Sequence, residues 1–150
     1  MRVVIQRVSE ASVTVGETEV SKIGRGMMVL VGVENEDSEK DVDWLVRKIA
    51  GLRIFPDREG VMNLSVKDIK GEILAVSQFT LTASTKKGNR PSYIRAAGHD
   101  LAVPLYEKFC ESLSESVGTD VKQGIFGADM KVALINDGPV TIIMDSKLKE

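Results

Sequence analysis

The first third of the chain alternates apolar and polar residues with a period of two, which is typical of half-buried strands. Short β-branched segments separated by glycines predict a meander of antiparallel strands there. The continuous apolar run at residues 27–33 predicts a fully buried strand. Later strands are predicted at residues 53–55, 72–79 with a possible extension to 82, 121–126, 131–135 and 140–144.

Two segments switch to helical periodicity. Ser38 is a candidate N-cap, with Asp41 three residues later as in a capping box. Apolar residues follow at helical spacing, namely Val42, Leu45, Val46, Ile49 and Leu52. A second helix is predicted over residues 101–117, with Pro104 in its first turn and Gly118 as its end.

The order of these elements predicts the fold class. Strands, a helix, strands, a helix and further strands favour an α+β fold, with two main helices packed against a largely antiparallel sheet or barrel. A length of 150 residues fits one domain, residues 1–150. The longest apolar run is too short to cross a bilayer and the N-terminus lacks the apolar core of a signal peptide, so we expect a cytoplasmic protein.

Composition limits the chemistry that the side chains can perform. Cys110 is the only cysteine and His99 the only histidine, which excludes an intrachain disulfide, a thiolate cluster and the usual zinc ligand sets, carboxylate-rich sites apart. A net charge of −2 argues against bulk non-specific binding of nucleic acid. A local basic cluster nevertheless occurs at Lys86, Lys87 and Arg90.

Two polar patches beside apolar strands are candidates for a functional site. Ser77 follows one strand without the Gly-x-Ser-x-Gly pattern of hydrolases, and Gly138-Pro139 reads by default as a tight turn between two strands. The chain has no P-loop or dinucleotide fingerprint. If the protein is an enzyme, we expect the reactive group to come from its substrate, while the protein supplies positioning and backbone dipoles.

Two alternatives remain open from the residues alone. One is a non-catalytic RNA-binding module that uses the basic cluster, where Tyr93 adds an aromatic side chain. The other is a serine esterase built on Ser77 and His99.

At these patches the chain resembles the D-aminoacyl-tRNA deacylase family, essentially from end to end. The segments that carry the resemblance are Ser77-Gln78-Phe79-Thr80-Leu81, Gly88-Asn89-Arg90-Pro91-Ser92, Phe126-Gly127-Ala128-Asp129-Met130 and Asn136-Asp137-Gly138-Pro139-Val140-Thr141. Shorter matches lie at residues 7–8, 11–13, 23–26, 53–55 and 62–65. The Ser77 and Gly138 motifs together are highly specific to this family.

The resemblance implies a homodimer with two active sites at the subunit interface. It implies hydrolysis of the ester between a D-amino acid and the 3′ end of a tRNA, and of glycyl-tRNA mischarged on tRNA-Ala. The 2′-hydroxyl of the terminal ribose would assist the reaction, with no metal or cofactor. A cis Gly138-Pro139 bond would reach into the partner's pocket and exclude an L side chain. Neither DNA nor a membrane is an expected partner.

The resemblance also implies roles for individual residues. Ser77, Gln78, Phe79 and Thr80 would line the catalytic face, with the backbone N–H groups of Phe79 and Thr80 as oxyanion donors. Residues implied in substrate binding and chiral selection are Gly138, Pro139, Val140, Thr141, Arg7, Phe126 and Met130. Arg7 would lock the carbonyls of Gly138 and Pro139. Residues implied in tRNA binding are Lys86, Lys87 and Arg90.

Overall fold

The computed structural model describes residues 1–150 and contains two helices and eight strands. In chain order the elements are β1 Arg2–Val15, β2 Thr18–Ile23, β3 Gly26–Gly32, α1 Glu39–Ala50, β4 Phe55–Pro56, β5 Met62–Leu64, β6 Glu72–Ser77, α2 His99–Val117, β7 Lys122–Gln123 and β8 Met130–Asp145. A short 3₁₀ helix, Phe79–Thr82, follows β6. Neither α-helix combines the length and the apolar character that a membrane crossing requires.

The main sheet has the strand order β2-β1-β3-β6-β7, with β8 also paired to β1. The long strand β1 is antiparallel to β2, β3 and β8, so that the sheet curls into a nearly closed, barrel-like form. The pairs β3–β6 and β6–β7 are parallel, and the expectation of a largely antiparallel sheet is therefore partly wrong. Each parallel pair is joined by a connection that contains one of the two helices, as parallel strands require.

The central strands β3 and β6 are buried on both faces, which explains the continuous apolar run in β3. On one face α1 and α2 pack over a cluster of 24 buried residues, in which Leu45, Ile49, Phe109 and Leu113 are fully covered. On the other face lies a second cluster of seven buried residues: Val8, Ala11, Val13, Ile23, Met28, Leu74 and Val76. β3 and β6 also approach closely, because a Cβ added to Gly26 would lie 1.8 Å from the Glu72 carbonyl oxygen.

The helix boundaries follow the predicted signals. The Asp41 carboxylate accepts a hydrogen bond of 2.9 Å from the Ser38 N–H, and Ser38 is the N-cap of α1. Burial by itself would raise the pKa of Asp41, but hydrogen bonds from Ser146, Ser38 and Lys147 hold it well below the ordinary value of 3.8. Gly118 ends α2 in the left-handed conformation, with φ of +79°.

Several predicted strands differ from the structure. Residues 131–144 form one continuous strand rather than two, since β8 pairs with β1 on both sides of Gly138-Pro139. The strand predicted at 72–79 ends at Ser77, because the chain then turns into the 3₁₀ helix. The strands predicted at 121–126 and 53–55 shorten and shift to β7 and β4.

Candidate active site

A cavity of about 550 Å³ opens at the carboxyl ends of the parallel strands β3 and β6, beside the start of α2. This is where open α/β sheets commonly bind ligands. Val31, Val33 and Val76 give it an apolar wall, and Ser77 and Gln78 bring polar groups to it. The cavity therefore suits a ligand that is largely apolar with a few polar contacts.

The turn after β6 positions the residues that follow Ser77. The Gln78 N–H donates to the Val31 carbonyl at 2.7 Å, and the Gln78 side-chain amide donates to the Thr80 hydroxyl. The Thr82 hydroxyl donates to the Phe79 carbonyl at 2.9 Å. As the first N–H groups of a 3₁₀ helix, those of Phe79 and Thr80 have no intrahelical acceptor. They remain available to a ligand.

One face of α2 forms a wall that sequence reasoning missed. His99, Ala102 and Tyr106 line the cavity at helical spacing. Burial raises the pKa of Tyr106 far above its ordinary value of 10.0, and its hydroxyl donates to the Ala75 carbonyl at 3.0 Å. Tyr106 is therefore a neutral structural residue of the wall. The signal that could have revealed this wall is the 99, 102, 106 spacing.

The two residues of the candidate serine esterase, Ser77 and His99, both line the cavity. The His99 ring packs edge to face on Phe126, with 5.4 Å between the centroids, and no hydrogen bond joins His99 to Ser77. Phe126 also contacts Tyr106 at 5.7 Å. The other potential nucleophile, Cys110, is buried, and burial raises its pKa to about 12, so it carries no thiolate near neutral pH.

Residues 137–140 form a bulged segment within β8. The register places Gln6 opposite Thr141 and Val8 opposite Asn136, so that Arg7 alone faces the four residues between. The Gly138-Pro139 peptide bond is cis, and both residues are exposed. The Thr141 hydroxyl donates to the Gln6 side chain at 2.5 Å.

Arg7 anchors the bulged segment to the body of the protein. Its Nε donates to the Asp137 carbonyl at 2.9 Å and its Nη1 to the Ile54 carbonyl at 2.7 Å. Arg7 thus holds the residue before Gly138, rather than the Gly138 and Pro139 carbonyls as the resemblance implies. A Cβ at Gly138, where φ is +128°, would lie 3.0 Å from Nη2 of Arg7.

The structure brings only some of the candidate residues together. Ser77, Gln78, Phe79, Phe126 and Met130 line one cavity, and Thr80 adjoins them on the turn. The residues of the bulged segment, with Arg7 and Thr141, do not line it. Val132, the cavity residue of β8 nearest to Gly138, stands six positions before it on the same extended strand, a separation on the order of 20 Å.

The basic cluster lies on a loop that is closed at its base. Ser84 and Ser92 exchange two backbone hydrogen bonds of 2.9 Å, and we call residues 84–92 the basic loop. Lys86, Lys87 and Arg90 are exposed on it. The basic loop therefore exposes three positively charged side chains, and the Ser84–Ser92 hydrogen bonds hold its two ends together.

Comparisons with known proteins identify the family. A family model described as D-Tyr-tRNA(Tyr) deacylase matches residues 4–145. Proteins named D-aminoacyl-tRNA deacylase from Porphyromonas gingivalis and Flavobacterium psychrophilum are 63% and 62% identical to this chain, over the full length of each.

Two solved structures share the fold. One, described as c-Myc DNA Unwinding Element Binding Protein, has 45% identity and a TM-score of 0.91, covering 97% of this chain and 98% of its own. The other, described as a probable eukaryotic D-amino acid tRNA deacylase, has 21% identity and a TM-score of 0.81, covering 95% and 97%. Since the family match spans nearly the whole chain and the relatives match end to end, this chain belongs to the D-Tyr-tRNA(Tyr) deacylase family.

Proposed function

We propose that this protein hydrolyses the ester bond of D-aminoacyl-tRNA, releasing the D-amino acid and the tRNA. The observation that carries the proposal is the turn at the mouth of the cavity, where the N–H groups of Phe79 and Thr80 have no acceptor in the protein. Water adds to the ester carbonyl carbon, the bond to the ribose oxygen breaks, and that oxygen takes the proton. The two N–H groups would stabilise the negative charge that develops on the carbonyl oxygen.

The 2′-hydroxyl of the terminal ribose is our candidate for the group that assists the attacking water. The protein groups near the cavity are poorly suited to that task. Tyr106 is neutral and donates to a backbone carbonyl, Cys110 is buried, and His99 packs against Phe126. Ser77 has no histidine bonded to it, so it lacks the base that a serine nucleophile needs.

The bulged segment is our candidate for chiral selection, acting from a second copy of the chain. Within one chain it is too far along β8 to reach the cavity. It is also exposed and anchored by Arg7, as a fixed wall has to be. We therefore propose a homodimer in which each Gly138-Pro139 enters the partner's cavity and sterically refuses an L side chain.

We also propose glycyl-tRNA as a second substrate. Glycine has no side chain for the wall to refuse, so glycyl-tRNA, including glycine mischarged on tRNA-Ala, would enter the cavity. The basic loop would contact phosphates of the acceptor end, which positions a substrate without reading its sequence. That mode suits an enzyme acting on many tRNAs.

The first experiment compares D-tyrosyl-tRNA with L-tyrosyl-tRNA as substrates of the pure protein, without added metal. We expect the protein to release D-tyrosine from D-tyrosyl-tRNA and to leave L-tyrosyl-tRNA largely intact. No turnover would favour the RNA-binding module. Loss of activity in both Ser77→Ala and His99→Ala would favour the serine esterase, because each residue would then be essential.

A second experiment removes one oxyanion donor. Phe79→Pro deletes the backbone N–H, and Gln78 before it (φ −146°, ψ 84°) lies outside the α region that a following proline disfavours. Phe79→Ala is the matched control, because it loses the same ring but keeps the N–H. We expect kcat to be on the order of 100-fold lower in the proline variant than in the alanine variant. Equal rates would remove Phe79 from the proposed oxyanion site.

A third experiment replaces the 2′-hydroxyl of the terminal adenosine with hydrogen while the 3′ ester is kept. We expect most cleavage to disappear, whereas the deoxy substrate still binds. Undiminished hydrolysis would mean that a protein side chain assists the reaction instead.

A fourth experiment tests the shared site by mixing Phe79→Pro and Gly138→Ala subunits, each of which we expect to cleave D-tyrosyl-tRNA more slowly than wild type. If each site takes one element from each subunit, a mixed dimer holds one intact site. Equal mixing should then restore about a quarter of wild-type activity. Absence of recovery in verified mixed dimers would place both elements in one subunit's site.

A further inference from the structure

An exposed aromatic pair lies at the edge of the cavity. The rings of Phe79 and Tyr93 meet edge to face, with centroids 5.1 Å apart and an interplanar angle of 70°. Phe79 is 56% exposed and Tyr93 39% exposed. Phe79 lines the cavity whereas Tyr93 does not, so Tyr93 stands just outside it. Two large apolar rings therefore share an open surface beside the proposed reaction centre.

Backbone hydrogen bonds hold Tyr93 in place although its ring is exposed. Its carbonyl accepts from the Ala96 N–H at 2.9 Å, and Ser92 before it belongs to the pair that closes the basic loop. The Asn35 side chain donates to the carbonyl of Ile94, the next residue, at 3.0 Å. The backbone that carries the ring is therefore fixed, so only the side chain would lose conformational entropy when a ligand stacks on it.

The order of these features along the surface defines a path. Phe79 lines the cavity, Tyr93 contacts Phe79, and the basic loop ends at Ser92, one residue before Tyr93. A nucleic acid whose last residue occupies the cavity and whose phosphates reach the basic loop would run close to Tyr93, which stands at the base of that loop and contacts Phe79. Alternation of aromatic rings and cations is how proteins bind single-stranded nucleic acid.

We propose that Tyr93 is a stacking platform for the base of the penultimate nucleotide of the tRNA substrate. This inference rests on the proposed function, which puts the terminal aminoacylated adenosine in the cavity. Stacking on an aromatic ring accepts any base and orients the strand. Tyr93 is thus a positioning residue, which presents the ester to the Phe79 and Thr80 N–H groups.

The test combines a protein change with a substrate change. kcat/KM is measured for wild type and Tyr93→Ala on D-tyrosyl-tRNA with either an intact or an abasic penultimate nucleotide. Each single change should lower kcat/KM about tenfold, within the range measured for loss of base stacking on an aromatic side chain. The two changes together should cost no more than one, because both remove the same contact.

Two matched variants isolate the ring. Tyr93→Phe should retain wild-type kcat/KM, since stacking needs the ring and not the hydroxyl. Ile94→Ala changes a neighbouring side chain that is 83% exposed and should have no effect. The proposal would be overturned if the two losses in kcat/KM multiply when the protein change and the abasic substrate are combined. It would also be overturned if the abasic substrate alone causes no loss in kcat/KM. A Tyr93→Ala protein whose subunits dissociate in sedimentation would overturn it too, because the ring would then be a subunit contact.

A binding measurement separates this inference from the hydrolysis itself. The probe is RNA without an attached amino acid that carries 2-aminopurine at its penultimate position. Wild type and Tyr93→Phe should quench the 2-aminopurine fluorescence, whereas Tyr93→Ala should not. Quenching by a wild-type protein that cleaves no ester would refute the proposed function and support the platform. Equal quenching by wild type and Tyr93→Ala would refute the platform even in an active enzyme.

Discussion

Replacement of Arg7 by lysine tests how the bulged segment is held. The Arg7 guanidinium donates to two backbone carbonyls, those of Asp137 and Ile54, from a side chain that is 11% exposed. A lysine ammonium lacks the planar fork and can satisfy one of these carbonyls at best. Hydrogen bonds to a charged group contribute about 1.5–3 kcal/mol each, so Arg7→Lys should lower the free energy of unfolding by about 2 kcal/mol.

The matched control is Asp137→Asn. The Asp137 carboxylate lies 3.5 Å from Nε of Arg7 and its side chain is 44% exposed, a geometry in which ion pairs contribute about 0–1 kcal/mol. Asparagine removes that charge and keeps the backbone carbonyl that Arg7 binds. Asp137→Asn should therefore cost less than about 1 kcal/mol.

The assay is urea unfolding followed by circular dichroism, together with the ratio of D-tyrosyl-tRNA to L-tyrosyl-tRNA cleavage. We expect Arg7→Lys to be destabilised and to discriminate less between the two esters, while Asp137→Asn resembles wild type in both. If Asp137→Asn loses as much stability as Arg7→Lys, the ion pair and not the carbonyl contacts anchors the segment, and our reasoning is refuted.

Three further substitutions test other parts of the structure. Gly26→Ala should cost at least about 3 kcal/mol in urea unfolding, because its Cβ would meet the Glu72 carbonyl oxygen at 1.8 Å and β6 would have to move. Gly138→Ala should cost about 1–3 kcal/mol, because φ is +128° and Arg7 lies 3.0 Å away, and should lower D-tyrosyl-tRNA cleavage. Asp41→Asn should destabilise the protein at pH 7. Since folding depresses the Asp41 pKa below 3.8, the carboxylate stabilises above that value, and the difference from wild type should shrink as the pH falls below about 4.

Controls for these substitutions come from the same chain. Gly24→Ala places a Cβ 3.4 Å from a flexible Glu72 side-chain atom and should be tolerated, and a cost equal to that of Gly26→Ala would contradict the close-approach argument. Gly60, like Gly138, has a positive φ (+79°), but a Cβ added there would meet nothing within 4 Å. Gly60→Ala therefore measures the cost of the backbone conformation alone, without the contact with Arg7 that Gly138→Ala adds. A stability difference for Asp41→Asn that stays constant from pH 7 to pH 3 would count against the pKa argument.

Local sequence predicted the elements whose causes are local. The capping residues Ser38 and Asp41, the stop at Gly118 and the buried strand β3 all follow from residues near one another in the chain. The direction of the strands beside β3 does not follow from local sequence. A strand that is buried on both faces has the same apolar sequence pattern whether its neighbour is parallel or antiparallel. The helical connection between β3 and β6 carried that information in the element order.

Long-range contacts explain what the local pattern missed. Gly138-Pro139 has the composition of a turn, yet pairing with β1 on either side keeps the chain extended through it. Residues 79–82 continue an apolar strand in sequence but form a 3₁₀ helix, in which Leu81 packs close to Gly32.

At the candidate site, the family resemblance predicted which residues take part, and the structure showed which groups they contact. Arg7 was expected beside the Gly138-Pro139 carbonyls, and its actual acceptors lie on Asp137 and on a distant loop at Ile54. Tyr106 was absent from the expected site, because the 99, 102, 106 spacing marks one face of a helix but does not say that this face borders the cavity. Partners far apart in sequence leave no periodic signal in a single chain.

The two hydrogen bonds between Ser84 and Ser92 make the basic loop a separable module. A segment fastened at both ends can change length or composition at its tip without transmitting the change to the residues beyond its base. Under the proposed function, substitutions at the tip of the basic loop would change how strongly the protein binds tRNA, and how quickly it releases it, without altering the residues proposed to cleave the ester.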